Sequence, residues 1–272
     1  MVDFGQYIPS GILVARPIPL SGCRVLRPYL LERAGITVDK VNTGSVVMLA
    51  VPYAVPLEKQ TVSSYAVAKD YHAYFASLFA QVLAKLRADF PDHAFAGFAD
   101  HSPIDEVHAA CISGLGVMGE HGLLLTRKHS SYVFLGEIIT TISTDNTPGE
   151  VLGCHGCGAC RRACPVGLNK QLCLSDLTQK KGQLDDTARA RLKDHSYVWG
   201  CDVCQQACPY TKEAARAGTL YTKIPYFLED LIPCPDVATI DGMSDEQFSA
   251  RAYAWRGRDT VRRNILIKEE HK

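Results

Sequence analysis

The chain has 272 residues, with 29 basic and 29 acidic side chains, so its formal net charge at pH 7 is zero. This balance argues against a globally basic nucleic-acid-binding protein but leaves room for a local basic patch. No apolar run is long enough for a membrane span, and the first thirty residues lack a signal-peptide pattern, so we expect a cytoplasmic protein with one large or two smaller domains.

The first 150 residues alternate between strand-like and helix-like patterns. Residues 46–51 form a continuous apolar run, which predicts a strand buried on both faces. Apolar residues recur every three or four positions between 61 and 90, which predicts one long helix. Residues 93–99 and 132–142 are further strand candidates. We therefore expect an α/β domain over residues 1–150.

A second helix start is predicted just after residue 101. Ser102 is a suitable N-cap, Pro103 suits the first helical position, and Asp105 places a carboxylate in the first turn. Asp100 would then lie between a strand and this helix. A carboxylate at such a junction serves either as a turn former or helix cap, or as a proton donor if it faces an apolar cavity. His101 and His108 are alternative proton carriers nearby.

The most informative feature of the chain is a cluster of cysteines. Eight of the eleven lie between positions 154 and 208, and both of their runs end in Cys-Pro. The first run, Cys-x2-Cys-x2-Cys-x3-Cys-Pro, is the pattern of two-cluster ferredoxins, and two [4Fe-4S] clusters require eight thiolates. The eight are Cys154, Cys157, Cys160, Cys164, Cys173, Cys201, Cys204 and Cys208.

Ferredoxin ligation crosses between the two runs, because the fourth cysteine of each run reaches the other cluster. The first cluster would then be held by Cys154, Cys157, Cys160 and Cys208. The second run lacks a cysteine where Val198 stands, and Cys173 is the best replacement. The second cluster would therefore be held by Cys164, Cys173, Cys201 and Cys204.

Two other uses of these cysteines are less favoured. Disulfide scaffolds are normally short secreted chains, whereas these cysteines cluster at ligand spacing in a long chain. Zinc also accepts Cys-x2-Cys pairs, but the interlocked ligand groups favour iron–sulfur clusters. We expect the remaining cysteines, Cys23, Cys111 and Cys234, to be small buried hydrophobes. A short helix is predicted over 172–181, ended by Gly182, and the last sixty residues read as mostly helical.

Two further motifs are candidates for cofactor binding. Gly114-Leu-Gly-Val-Met-Gly119 matches the dinucleotide fingerprint, but it follows a predicted helix, and no carboxylate stands about twenty residues later. Close backbone approach to another bulky cofactor is the better explanation of its glycines. Asp70-Tyr71-His72 has the start of a cobalamin-ligating Asp-x-His motif without the glycine that should follow. We therefore interpret His72 as a polar residue on a helix edge.

In their order along the chain, these motifs resemble the epoxyqueuosine reductase family. The resemblance is carried by Asp70-Tyr71-His72, by Asp100 with Pro103 and Glu106, by the glycine motif, and by the cysteine pattern with its Gly200-Cys-Asp-x-Cys-Gln205 segment. It runs from about residue 45 to 209 and resumes at Arg256-Gly257 and Arg263-Asn264.

The resemblance implies a cobalamin-dependent reductase related to the reductive dehalogenases. Residues 1–150 would form an α/β cobalamin-binding domain, either nitroreductase-like or a related α/β sandwich. Residues 151–235 would form a double-cluster, ferredoxin-like α+β domain, and 236–272 a helical tail. Cobalamin would bind base-off without a histidine ligand, and Asp100 would correspond to the family's proton donor. The implied cobalamin contacts are Tyr71, Gly116, Met118, Gly119, Glu120, Thr178 and Lys181.

The family removes an epoxide oxygen from a modified tRNA base, and its members take electrons from a low-potential donor such as ferredoxin or flavodoxin. This chain differs from the family pattern at Val107, where an arginine is usual, and at Glu120-His121, where Lys-Asn is usual. Typical members also continue into a helical repeat domain that engages tRNA. The expected function is thus reduction of epoxyqueuosine in tRNA or of a smaller substrate. The alternative is an electron-transfer or cobalamin-handling protein without its own substrate.

The arginine-rich C-terminal segment has two possible uses. It could contact tRNA phosphates, although a solvated helix face is the commoner meaning of such a charge run.

Overall fold

The computed structural model describes residues 2–36 and 43–270. By internal packing, the chain divides into two compact units. The first comprises Met1–Pro52 and His72–Gly156, and the second comprises Tyr53–Tyr71 and Cys157–Lys272. Packing thus groups residues 53–71 with the cysteine-rich segment and the C-terminal tail. The functional division at residues 150 and 235 stays a prediction.

The first unit contains a five-stranded sheet. Its strands are β1 (Leu13–Val14), β2 (Ile18–Pro19), β3 (Ser45–Pro52), β4 (Phe95–Phe98) and β7 (Val133–Thr140), while β5 (Val117–Met118) and β6 (Leu124–Leu125) form a separate hairpin. The order is β1-β3-β7-β4, with β2 also beside β3, and every neighbouring pair is antiparallel. The sheet follows from the sequence, because β3 is apolar after Ser45 and all eight of its residues are buried.

The described residues of this unit form three helices: α1 (Pro28–Arg33), α2 (Tyr71–Asp89, all but its first residue) and α3 (Glu106–Ile112). The buried strand predicted over 46–51 is confirmed, and the other two strand candidates form over shorter lengths. The long helix was predicted ten residues too early. Residues 61–70 instead belong to the second unit, where the N–H of Thr61 donates to Pro233 and that of Ser63 donates to Trp199.

The predicted start of α3 is also wrong. Asp105 is the N-cap, and its side chain accepts the N–H of His108 at 3.1 Å. Ser102 is not available for capping, because its buried hydroxyl donates to the Glu137 carboxylate and accepts the N–H of Ile104. The carboxylate expected in the first turn therefore caps the helix itself.

The second unit is built from eight short helices among the described residues. They are α4 (Ala159–Ala163), α5 (Leu174–Thr178), α6 (Asp186–Asp194), α7 (Val203–Ala207), α8 (Pro209–Arg216), α9 (Val237–Gly242), α10 (Asp245–Ser249) and α11 (Arg258–Glu269). One core cluster of this unit includes the fully buried Trp199 and Tyr253. The expected α+β character is not found, because only isolated bridges such as Val62 with Trp199 pair the described backbone here.

The helix predicted over 172–181 is shorter than expected. The extended backbone of Cys173 separates a single 3-10 turn from α5, which ends at Thr178. Among the described residues, no helix has both the length and the apolar character to cross a membrane.

One glycine in the sheet is required by packing against α2. A Cβ atom added at Gly136 would overlap the ring of Phe75, a buried residue. Replacing Gly136 by Ala should therefore lower the free energy of unfolding by about 1–3 kcal/mol, because the ring must leave its position. Gly242→Ala is the matched control, since an added Cβ there meets no atom within 4 Å. Urea unfolding of both variants measures the difference, and equal stabilities would refute this account of the packing.

Candidate active site

Asp100 lies in a tight turn immediately after β4. Its backbone has a φ of 64°, the left-handed conformation that aspartate tolerates better than most residues. Its N–H donates to Glu106 Oε1 at 3.1 Å, and its side chain is 66% exposed. Asp105, rather than Asp100, caps α3. A capping role for Asp100 is therefore excluded, whereas its turn-forming role is found. The turn leaves the carboxyl accessible, and its role as a proton donor stays a prediction.

An imidazole lies beside this carboxyl. His72 Nε2 is 3.5 Å from Asp100 Oδ2, and the His72 side chain is 51% exposed. The first turn of α2 thus supplies a proton-carrying partner to the turn after β4. From the sequence His72 was interpreted only as a polar residue on a helix edge. The signal that could have revealed it was the Asp70-Tyr71-His72 triplet.

The two alternative proton carriers have other contacts. His101 Nε2 lies 3.2 Å from the Tyr29 hydroxyl. The backbone N–H of His108 is bound by the Asp105 side chain. Burial, followed by the charge of Arg24, lowers the pKa of His108 and favours the neutral ring. The ion pair with Asp100 thus belongs to His72.

Two acids lie behind the Asp100 turn, one half-buried and one completely buried. Glu106 is the first residue of α3, and Glu137 is a completely buried residue of β7. Burial raises the pKa of Glu106 to about 7, and the charge of Asp100 adds to this effect. Burial also raises the pKa of Glu137 well above its ordinary range, with a further rise from Glu106. Sequence reasoning missed Glu137, because an acid in an apolar strand has no motif.

The glycine motif 114–119 is accounted for by the local fold. Gly114 follows α3 with a φ of 81°, as a C-terminal helix residue requires. A Cβ at Gly116 would overlap the carbonyl of Leu125 in the β5–β6 hairpin, and one at Gly119 would overlap the ring of His121. The local fold thus requires these glycines by itself, and their use in close approach to a cofactor stays a prediction.

The same hairpin fixes the backbone that leads into the cysteines. Met118 accepts the N–H of Cys154 at 2.9 Å, and its own N–H donates to Leu152 at 2.8 Å. Glu120, at the exposed tip of the hairpin, is solvent-accessible. Within the first unit, one short segment carries the predicted contacts Gly116, Met118, Gly119 and Glu120. This segment is hydrogen-bonded to Cys154, the first predicted ligand.

Four cysteine thiols of the second unit lie close enough to influence one another. Burial raises the pKa of Cys201 to about 11, with smaller contributions from Asp202, Cys173 and Cys164. Burial likewise raises the pKa of Cys204 to about 12, and Cys201, Cys164 and Cys173 add to it. All four cysteines are half-buried, and four such thiolates would repel one another unless a cationic group neutralised them. This set is the one predicted for the second cluster.

The other predicted ligands are more dispersed. In the second unit, Cys160 in α4 and Cys208 before α8 are buried, while Cys157 is exposed. Cys154 belongs to the first unit. Across the described residues, no three His, Cys, Asp or Glu side chains close around a single metal ion.

Val198 stands at the position of the cysteine that the second run lacks, and it is a buried member of the core around Trp199. Of the three cysteines outside the pattern, Cys111 is buried and Cys23 is half-buried. The expectation of a buried residue is wrong for Cys234, which is exposed and whose thiol lies 3.6 Å from the Lys59 carbonyl.

Asp202, next to Cys201, is a buried hydrogen-bond centre that sequence reasoning also missed. Its carboxylate accepts the backbone N–H and the hydroxyl of Ser64, both at 2.7 Å, and the Gln60 amide at 2.9 Å. Ser63 and Gln205 also donate to it. These bonds attach the 53–71 segment to the cysteine-bearing loop within the second unit.

Two predicted cofactor contacts of this unit differ in character. Thr178 is fully buried, and its hydroxyl accepts the N–H of Gly200 at 2.9 Å. Asn264 reinforces the region by donating to the Thr178 carbonyl at 2.7 Å. Lys181 is exposed. Tyr71, the remaining predicted contact, is the first residue of α2.

The arginine-rich C-terminal segment is largely used for internal contacts. Arg258 pairs with Asp245 at 3.2 Å, and Arg262 pairs with Asp241 at 3.0 Å. Arg263 donates to the Gly182 carbonyl, and Arg251 donates to the Asp230 carbonyl at 2.7 Å. This pattern favours the solvated, structural interpretation of the charge run over phosphate binding.

Comparison with known proteins places the chain among its relatives. No protein-family model matches it. It is 30% identical over 267 residues to the epoxyqueuosine reductase of Listeria monocytogenes, covering 88% of this chain and 67% of that protein. It spans 58% of the relative from Lactococcus garvieae, which is 27% identical.

Solved structures show the same fold. An epoxyqueuosine reductase with a tRNA-Tyr epoxyqueuosine-modified tRNA stem loop aligns with a TM-score of 0.76 at 22% identity, covering 98% of this chain and 79% of that one. The Bacillus subtilis enzyme, solved with its catalytic loop swung out of the active site, aligns with a TM-score of 0.72 at 22% identity, covering 98% and 79%. Given the identity to the Listeria protein and the length of that match, the chain belongs to the epoxyqueuosine reductase family, a family of oxidoreductases.

Proposed function

We propose that this chain is a cobalamin- and iron–sulfur-dependent reductase that removes the epoxide oxygen of epoxyqueuosine in tRNA. The observation that carries the proposal is the Asp100 turn, where an accessible carboxyl meets an imidazole at 3.5 Å. Removing an epoxide oxygen as water consumes two electrons and two protons. The carboxyl and imidazole supply a route for protons, and the cysteine set supplies ligands for electron carriers.

The donor set suits two [4Fe-4S] clusters in a double-cluster, ferredoxin-like arrangement. Thiolates at Cys201 and Cys204 would repel the neighbouring thiolates. The positive charge of the iron ions in a cluster would relieve that repulsion. Cys164, Cys173, Cys201 and Cys204 would hold one cluster. Cys154, Cys157, Cys160 and Cys208 would hold the other. A low-potential ferredoxin or flavodoxin is the proposed electron donor.

Cobalamin, when bound base-off in the α/β domain, would supply the reduced metal centre that cleaves a carbon–oxygen bond. Its proposed contacts are Tyr71, Gly116, Met118, Gly119, Glu120, Thr178 and Lys181. Since a side chain cannot be added at Gly116 or Gly119 without overlap, these two residues would contact it through backbone atoms.

Asp100 would hold the proton at its carboxyl and transfer it to the oxygen as the carbon–oxygen bond breaks. His72 Nε2, beside Asp100 Oδ2, would return a proton to the carboxylate afterwards. In a solved relative the catalytic loop swings out of the active site, and the Asp100 turn is the corresponding candidate here for a moving element.

The tRNA substrate is proposed from the relative solved with a modified stem loop, and it implies a cytoplasmic location. The alternative is that the enzyme reduces a smaller substrate. Turnover of epoxyqueuosine-containing tRNA, compared with turnover of the free nucleoside, separates the two.

The cluster assignment predicts a specific loss of iron. After anaerobic reconstitution, the wild-type chain should carry about eight irons, and Cys173→Ala about four, because the second cluster loses its fourth thiolate. Cys234→Ala is the matched control, since this exposed cysteine lies outside the pattern and should leave the count unchanged. Iron analysis with electron paramagnetic resonance measures both variants. An unchanged count in Cys173→Ala would remove this residue from the ligand set.

The acid assignment predicts a separate effect. Asp100→Asn should leave cobalamin bound but lower the rate of reduction by about 10²–10⁴-fold, because the amide cannot donate a proton in the same way. Asp92→Asn, at an exposed turn of the same unit, should react at the wild-type rate. Single-turnover rates measure the reduction step, and cobalamin absorbance measures whether the cofactor stays bound. Wild-type turnover by the Asp100 variant would show that another group is the acid.

A further inference from the structure

The two acids behind the Asp100 turn are arranged to hold a proton between them. Glu137 is 0% exposed, and its carboxylate accepts the Ser102 hydroxyl. Among the described residues, its other oxygen, Oε2, has no hydrogen-bond donor. The Glu106 carboxyl lies within hydrogen-bonding reach of the Glu137 carboxyl. An oxygen that lacks a donor beside a second carboxyl is suited to carry the proton and donate it.

The surroundings do not supply enough positive charge for both acids to ionise. Arg27 is the cation that acts on Glu106, and its guanidinium also donates to the Ser102 carbonyl at 2.8 Å. The other titratable neighbours are Asp100 beside Glu106 and the Cys23 thiol beside Glu137, and neither adds positive charge. Two adjacent buried carboxyls in such a site retain a proton, as in other carboxyl dyads.

The pair is connected to the candidate acid through one hydrogen bond. Glu106 Oε1 accepts the backbone N–H of Asp100 at 3.1 Å. The left-handed backbone of Asp100 is less stable than an extended or right-handed one, so the turn depends on contacts that hold it. The acceptor on Glu106 is such a contact, and it comes from the rigid start of α3.

We propose that Glu106 is a positioning residue that holds the Asp100 turn, and that the proton it shares with Glu137 keeps it in place. This rests on the proposed role of Asp100 and deepens it. With the proton present, Glu137 donates to Glu106, and Glu106 accepts from Asp100. Without it, two buried anions repel each other, and Glu106 moves toward Arg27 or solvent.

The sign of the pH effect follows from this arrangement. Burial favours the protonated form of both acids, so the pair holds the shared proton at low pH and loses it as pH rises through the higher pKa of the pair. The Asp100 turn should therefore be held below that point and released above it. Glu137→Gln should remove the transition, because its amide donates to Glu106 at every pH.

The experiment uses the reconstituted chain labelled with ¹⁵N-aspartate. The Asp100 amide resonance should show a pH transition in the wild type that is absent in Glu137→Gln. Asp100's own carboxyl titrates in both proteins, so the difference isolates the pair. This readout needs no turnover, so it stands even if the proposed reaction fails. An identical amide titration in the two proteins would overturn the proposal.

Steady-state kinetics provide a second test of the positioning role. Glu106→Ala should lower kcat by about tenfold to a hundredfold with little change in KM, because the acid is misplaced while substrate binding persists. Glu106→Gln keeps an oxygen acceptor for the Asp100 N–H and should retain most of the activity. Glu32→Gln, at an exposed acid on α1, is the matched control. Equal kcat values for Glu106→Ala and Glu106→Gln, whether high or low, would contradict the positioning role.

Discussion

The antiparallel pairing of β3 with β7 is the constraint on which the first unit depends. Eight residues of each strand are in register, from Ser45 with Thr140 to Pro52 with Val133, and almost all of them are buried. Because both faces are covered, any polar side chain on these strands must find partners inside the protein. Glu137 is the ionisable side chain of the two strands, and its neighbours are Ser102, Glu106 and Cys23. The sheet thus places an acid directly behind the turn that carries Asp100.

In the second unit, the described cysteines are positioned by short helices and loops rather than by a sheet. Its helices near the cysteines are short, and the loops between them are held by buried polar groups rather than by strand pairing. The Asp202 carboxylate accepts hydrogen bonds from residues 60–64, and the Asn264 amide donates to the carbonyls of Thr178 and Val198. Buried carboxylates and amides with complete hydrogen bonding fix loop geometry strongly. They hold Cys201 and Cys204 beside Cys164 and Cys173.

The sequence was most predictive where one local pattern decides the outcome. The buried strand at 46–51 rests on a pattern of this kind and is confirmed. The replacement of a missing ligand by Cys173 also rests on a local pattern and stays a prediction. Helix starts failed where tertiary hydrogen bonds override local preference. Ser102 was predicted to cap α3 but bonds Glu137, and residues 61–70 bond to Trp199 and Pro233 instead of continuing α2.

Local patterns do not tell which distant residues meet in the fold. The contact between His72 and Asp100 joins residues 28 positions apart, and that between Ser102 and Glu137 joins residues 35 positions apart. The glycines of 114–119 show the opposite case, in which a motif was present but the hairpin and helix end account for it.

The central claim is that this chain itself removes an epoxide oxygen from tRNA. The most direct measurement is mass spectrometry of nucleosides from epoxyqueuosine-containing tRNA, incubated anaerobically with the reconstituted wild-type chain, cobalamin and a low-potential reductant. The account predicts conversion to the nucleoside lacking one oxygen, dependent on both the chain and cobalamin. An unchanged epoxyqueuosine signal, with clusters and cobalamin shown to be bound, would contradict it.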